Sequence, residues 1–142
     1  MADPYNLQRF VDAQQPVYAR VVDELRAGEK RSHWMWFIFP QIEGIGHSPT
    51  AQLYAITGLD EARDYLAHPL LGARLRECTA IVNGIQDKTL DEIFGYPDNL
   101  KFCSSMTLFA RAAQDYELFQ TALRKYCDDQ ADPQTIARLP RD

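Results

Sequence analysis

Apolar residues along this chain recur mainly at three- and four-residue steps. Leu7, Phe10, Val17, Val21 and Leu25 fall on that spacing, with Gln14 in register among them, after an Asp3-Pro4 cap and first-turn proline. Pro16 has no N–H to donate, so the pattern predicts a break there. A second helix then runs from about Pro16 to Ala27, with Gly28 as its stop. Thr89-Leu90-Asp91-Glu92 is a capping box whose short helix Gly95 ends. Further starts stand at Ser48-Pro49, Pro69, Asp98, Asp115 and Asp132-Pro133. Asp60 to Ala67 and Pro69 to Asn83 read as consecutive helices. Phe102, Met106, Phe109 and Ala113 form the longest stripe, and Leu118, Ala122 and Tyr126 form the last. No clear period-two alternation is present. The pattern predicts an all-α fold: one compact domain over 1–142, of about seven or eight short helices, with a polar tail at 138–142 expected to fray.

One stretch departs from this grammar. Behind the polar lead-in Glu29-Lys30-Arg31-Ser32 comes His33-Trp34-Met35-Trp36-Phe37-Ile38-Phe39-Pro40, which is aromatic on more than one face. Solvent cannot cover any wide side of it, and a short central helix ending at Pro40 fits best. Indole N–H groups want partners when buried, so one tryptophan is expected in the core and the other at the edge of a cavity. The next loop, Gln41 to Ser48, carries Gly44 and Gly46 and leads into a helix start at Ser48, which has the ingredients of an anion site.

On the late helix, Asp98, Lys101, Ser104 and Ser105 share a polar face opposite the phenylalanine stripe. Two readings of the serines compete. Either they allow close helix approach with hydroxyls bonded back to carbonyls, or they present a polar wall to an anionic or sugar-like group. His33 is a candidate for moving a proton, the role an imidazole side chain most often takes in acid–base chemistry. His68, before Pro69, reads as a helix cap.

Charge and cysteine content narrow the classes. The 15 basic and 20 acidic residues leave a net charge of −5 and a pI near 5.1, unsuited to gripping nucleic acid without strong charge segregation. No apolar run reaches the roughly 18 residues of a membrane span, and MADPYNLQRF lacks the order of a secretory leader, so a cytoplasmic protein is expected. Cys78, Cys103 and Cys127 are odd in number and show no metal-ligand spacing. They read as buried inert thiols, with neither a disulfide scaffold nor a metal or redox cofactor implied.

Ser32 to Gln41, the Gly44-x-Gly46 loop, Tyr65 to Leu75 around His68-Pro69, and Asp98 to Phe109 together resemble the bacterial domain family of unknown function numbered eighteen-ten, from about Leu7 to Phe109. The resemblance implies a small, mainly helical fold without established activity. A fainter likeness, in the order of the aromatic helix with its glutamine, Glu61-Ala62, the His-Pro-Leu start and the Asp-initiated late segment, is to NADAR domains, which are associated with ADP-ribose and NAD metabolism. The glycine-rich terminal motif of those domains is absent, and Ser104-Ser105-Met106 stands in its place.

The resulting expectation is a cleft for an anionic, nucleotide- or ADP-ribose-like small molecule, with a hydrolase or N-glycosidase as the enzymatic form. Trp36, Gln41, Gly44, Gly46, Ser48, Lys101, Ser104 and Ser105 would bind, and His33 and Asp98 would move a proton. The alternative is a non-enzymatic interaction module or an oligomeric structural protein; the number of subunits is left open.

Overall fold

A computed structural model describes residues 3–139. Among these residues the chain forms ten helices and no strand: α1 (Gln8–Gln14), α2 (Tyr18–Arg26), α3 (Met35–Ile38), α4 (Pro49–Leu53), α5 (Leu59–Ala67), α6 (Leu71–Gly84), α7 (Leu90–Phe94), α8 (Asp98–Ala112), α9 (Glu117–Tyr126) and α10 (Pro133–Ala137). The count exceeds the expected seven or eight because α3, α4, α7 and α10 are single turns of four or five residues. None of the helices is long and apolar enough to cross a membrane.

Local chemistry sets most boundaries. The chain breaks between Gln14 and Tyr18, around Pro16. Ser48 and Asp132 cap α4 and α10 ahead of first-turn prolines, and the Thr89/Glu92 capping box opens α7. His68 accepts the Leu70 and Leu71 N–H groups at Nδ1, both at 3.2 Å, and so satisfies the entry to α6. The expected start at Asp115 moves to Glu117, and Asp115 instead holds Arg76 at 3.1 Å. Arg138 and Leu139, expected in a frayed tail, are anchored: Leu139 is buried and Arg138 donates to Gly44 O. Residues 140–142 of that tail lie outside the described residues.

Helix α8 is the axis of the core and packs against α5, α7, α9 and α10. Phe102 stacks on Phe94 at 5.1 Å between ring centroids and meets Phe39 edge-on at the same distance. Further along, Phe109 lies against Tyr65 and Phe119.

The central aromatic segment is held from outside by one carboxylate. Glu24, near the end of α2, accepts the backbone N–H of Arg31 (2.7 Å) and of Ser32 (3.1 Å), the Ser32 hydroxyl (2.6 Å) and the Trp34 indole N–H (2.9 Å). Trp34 is thereby fixed in the core with its one polar atom satisfied. Arg9 clasps a second loop. It donates to the carbonyls of Leu53 and Ala55 and pairs with the buried carboxylate of Glu61 at 3.0 Å, while Glu61 also accepts the Thr57 N–H and hydroxyl.

Burial on its own raises the Glu24 pKa, but the hydrogen bonds from Ser32, Arg31 and Trp34 outweigh it and pull the value down from 4.5 to about 2. Because the folded value lies below the unfolded one, the carboxylate stabilises the fold above about pH 4.5. That contribution is lost as the pH falls toward 2. At about 1.4 kcal/mol per pKa unit it is on the order of 3 kcal/mol. Chemical denaturation at successive pH values should therefore show wild-type stability falling between pH 5 and 2, and Glu24→Gln should be less stable at pH 7 with a flatter acid limb.

Candidate functional site

The loop after α3 is shaped by backbone pairing. Ile56 N donates to Gln41 O (2.9 Å) and Glu43 N to Ile56 O (2.8 Å), so residues 41–43 run beside the segment that precedes α5. Gly46 then passes so close to α4 that a Cβ there would lie 2.6 Å from the Ala51 Cβ. Gly44 adopts φ +96°, a region open chiefly to glycine.

This loop forms one wall of a cleft of about 640 Å³, a volume in the range of small-molecule sites. Gln41, Ile45 and Gly46 face the first turns of α8 across it, where Asn99, Lys101 and Ser104 contribute. Leu90, Leu100 and Tyr126 supply apolar surface. The third wall is the end of α9 with the segment 127–134. That segment is secured to α8 through Asp132: its N–H donates to Thr107 Oγ1 (2.9 Å), and its Oδ2 takes the hydroxyls of Ser104 (2.9 Å) and Thr135 (2.6 Å).

A narrow slot of about 10 Å³ opens beside the cleft and shares Gln41, Gly46 and Lys101 with it. Trp36 lines this slot, half-buried, with the Lys101 ammonium 5.3 Å from its ring centroid. Lys101 also lies 3.4 Å from Asp98, whose other oxygen holds Lys30 at 2.8 Å; Lys30 in turn sits over the Trp34 ring at 5.2 Å. One carboxylate thus bridges two lysines, each of which rests on a tryptophan. Among the described residues that line the cleft, Lys101 is the single cation, against the carboxylates of Asp91, Asp128 and Asp132.

Of the residues singled out in the sequence, Gln41, Gly46, Lys101 and Ser104 share the cleft, and Trp36 stands in the adjoining slot. The others lie elsewhere. His33 is exposed and outside both linings. Asp98 is occupied by its two lysines. Gly44 turns its carbonyl to Arg138, and Ser48 uses its hydroxyl to cap α4 through Ala51 N. Ser105 corrects the helical-wheel reading: it is fully buried, because α8 is covered by neighbours on nearly every side and its serine pair does not share one face. The Ser104 hydroxyl lies 3.2 Å from Leu100 O and Thr107 donates to Cys103 O, which is the back-bonding expected of close packing.

The pattern gave no notice of the third wall. Asp132 was visible only as a cap and Tyr126 only as part of an apolar stripe, and Asn99 and Asp128 carried no signal. The cysteine expectation holds for Cys78 and is overturned for the other two. Cys103 and Cys127 form a disulfide with 6.0 Å between Cα atoms, and both line the cleft. Among the described residues only Cys78 is a buried free thiol, with its pKa pushed up to about 12 by burial.

Residues 4–139 match the family model described as "Protein of unknown function (DUF1810)". Among solved structures, the chain is similar to the conserved hypothetical protein Rv1873 from Mycobacterium tuberculosis. The identity is 56% and the TM-score 0.96, over 99% of this chain and 100% of that one. No curated protein matches.

The Ser105 hydroxyl is enclosed without a hydrogen-bond partner among the described residues. A buried polar group left unsatisfied costs about 1–3 kcal/mol. Ser105→Ala should accordingly leave the protein as stable as wild type or raise its unfolding free energy by about 1 kcal/mol in urea titrations.

Proposed function

This chain belongs to the DUF1810 family, and from that premise we propose that it binds a small hydroxyl-rich molecule of nucleoside or ribose type, bearing at most one phosphate-like group, in the cleft between the 41–46 loop, the start of α8 and the 127–134 segment. The observation that carries this reading is the convergence of Gln41 and Gly46 with Lys101 and Ser104, from stretches far apart in sequence, on one opening of ligand size.

The charge of the lining decides the ligand class. Lys101 offers one anion site, while three aspartates surround the rest. A pyrophosphate would meet more repulsion than attraction there, whereas carboxylates and amides accept and donate well to sugar hydroxyls. The broader expectation of an ADP-ribose-like ligand therefore narrows to its nucleoside or monophosphate portion. Tyr126 and Leu90 provide an apolar surface for a planar or ring-shaped group. The reading is one of binding. His33 and Asp98 stand outside the lining, so a hydrolase or N-glycosidase would need Asp91, Asp128 or Asp132 as its base.

A second reading, an interaction module, is favoured by Tyr96 and Leu100, which are 80% and 55% exposed around the entry to α8.

Thermal-shift measurements with nucleosides, their monophosphates and ADP-ribose test the first reading, since a ligand at one hundred times its Kd adds about 2.7 kcal/mol. The expected order is monophosphate, then nucleoside, then ADP-ribose. Lys101→Met should abolish the preference for the monophosphate while leaving nucleoside binding within about twofold. A flat response across the panel would overturn the proposal and leave the interaction module.

A further inference from the structure

Two of the three cysteines differ from the third in every property that governs thiol chemistry. Cys78 is sealed in the core beside the Tyr18 hydroxyl. Cys103 and Cys127 are half-buried, joined to each other, and exposed to the open cleft. Reactivity in thiol–disulfide exchange depends on access to a sulfur, and here access is confined to one bond.

The position of that bond gives it a mechanical role. Cys103 lies on α8, which the phenylalanine core holds, and Cys127 closes the C-terminus of α9. The body of α9 does not rely on the link, because Phe119, Ala122 and Leu123 are themselves buried in the core. The chain just beyond Cys127 is exposed and is tied back by two backbone bonds, Asp129 N–H to Leu123 O (3.0 Å) and Gln130 N–H to Cys127 O (3.0 Å). Asp128 and Asp129 both adopt the left-handed conformation, with φ of 57° and 55°, which side-chain-bearing residues disfavour. The next firm anchor is Asp132, bonded to Ser104 and Thr107. Residues 128–131 are thus held at one end by the disulfide-linked C-terminus of α9 with these two backbone bonds and at the other by Asp132, and they form a wall of the cleft with Asp128, Gln130 and Ala131 in its lining.

We infer that Cys103–Cys127 is a thiol–disulfide exchange site for dithiol reductants, and that its redox state sets the order of the 128–131 wall and hence the affinity of the cleft. A thiolate of the reductant attacks one sulfur and the S–S bond breaks. The released cysteine thiolate takes a proton, and a mixed disulfide remains. The second thiol of the reductant then displaces the other cysteine, which is protonated in turn. The protein has gained two electrons and two protons, and the reductant leaves as its own disulfide. The inference about affinity rests on the cleft being a binding site; the exchange site and the ordering of the wall do not.

The full-length protein is incubated with and without dithiothreitol, then alkylated under native conditions and mapped by mass spectrometry. Without reductant no cysteine should be labelled. With it, Cys103 and Cys127 should be labelled and Cys78 spared. In parallel, amide hydrogen exchange across 128–131 should quicken by about tenfold or more on reduction while α8 and the body of α9 keep their protection. The double variant Cys103→Ser/Cys127→Ser should show the fast exchange with or without reductant. Labelling of Cys103 and Cys127 in untreated protein, labelling of Cys78 alongside them, or unchanged exchange in the 128–131 wall would each overturn the inference. If a nucleoside ligand is found, its affinity should fall on reduction, and an unchanged Kd would sink the regulatory half. If no ligand is found but labelling and exchange respond as described, the binding proposal fails while the exchange site stands.

Discussion

The Glu24 carboxylate is the constraint on which the rest of the molecule depends. A buried charge survives only when its hydrogen-bonding capacity is met, and here four donors from residues 31, 32 and 34 converge on two oxygens. Those donors lie on the approach to the aromatic helix, so satisfying the charge also fixes where that helix begins. Trp34 is drawn inward and, two residues later, Trp36 is left at the rim. The division of labour between the tryptophans is set by a glutamate on another helix.

A similar logic governs the other loops around the cleft. Arg9 satisfies carbonyls of a segment that, among the described residues, has no ladder partners beyond the short pairing of Ile42 with Ile56, and Glu61 takes the Thr57 N–H and hydroxyl, donors that Arg9 cannot serve. Polar side chains buried at a few points thus replace the regular hydrogen bonding that a strand would have provided. The 41–46 loop can therefore be irregular and still keep a fixed path, with Gly46 pressed against Ala51.

The helical skeleton was legible because it is written locally. The break around Pro16, the caps at Ser48, Thr89 and Asp132, and the His68 turn need only a few neighbouring residues to act. The family resemblance was legible too, through the specific string around Trp34. The non-local features escaped. Nothing in the spacing of Cys103 and Cys127 marks them as partners, since they meet only once α8 and α9 have packed together. Glu24 falls on the apolar side of its helix, three residues after Val21, but nothing local shows which donors it meets. Spacing left open whether the Ser105 hydroxyl packs against a neighbour or faces a ligand, because the burial of α8 on nearly every side is set by the helices around it. One wall of the cleft comes from a coil whose path depends on Asp132 reaching back to α8 across 28 residues of sequence.

Asp98, shared between Lys30 and Lys101, has a consequence for how the cleft would receive an anion. The two contacts are unequal, 2.8 Å to the more buried Lys30 and 3.4 Å to Lys101. An arriving negative group therefore takes over the looser of two partnerships, and the aspartate it displaces keeps the tighter one. Neither ammonium is left bare at any stage, and no carboxylate is stranded in the interior. On the proposed reading an anionic ligand would enter by an exchange of counterions, with the Lys101 ammonium held by Asp98 until then.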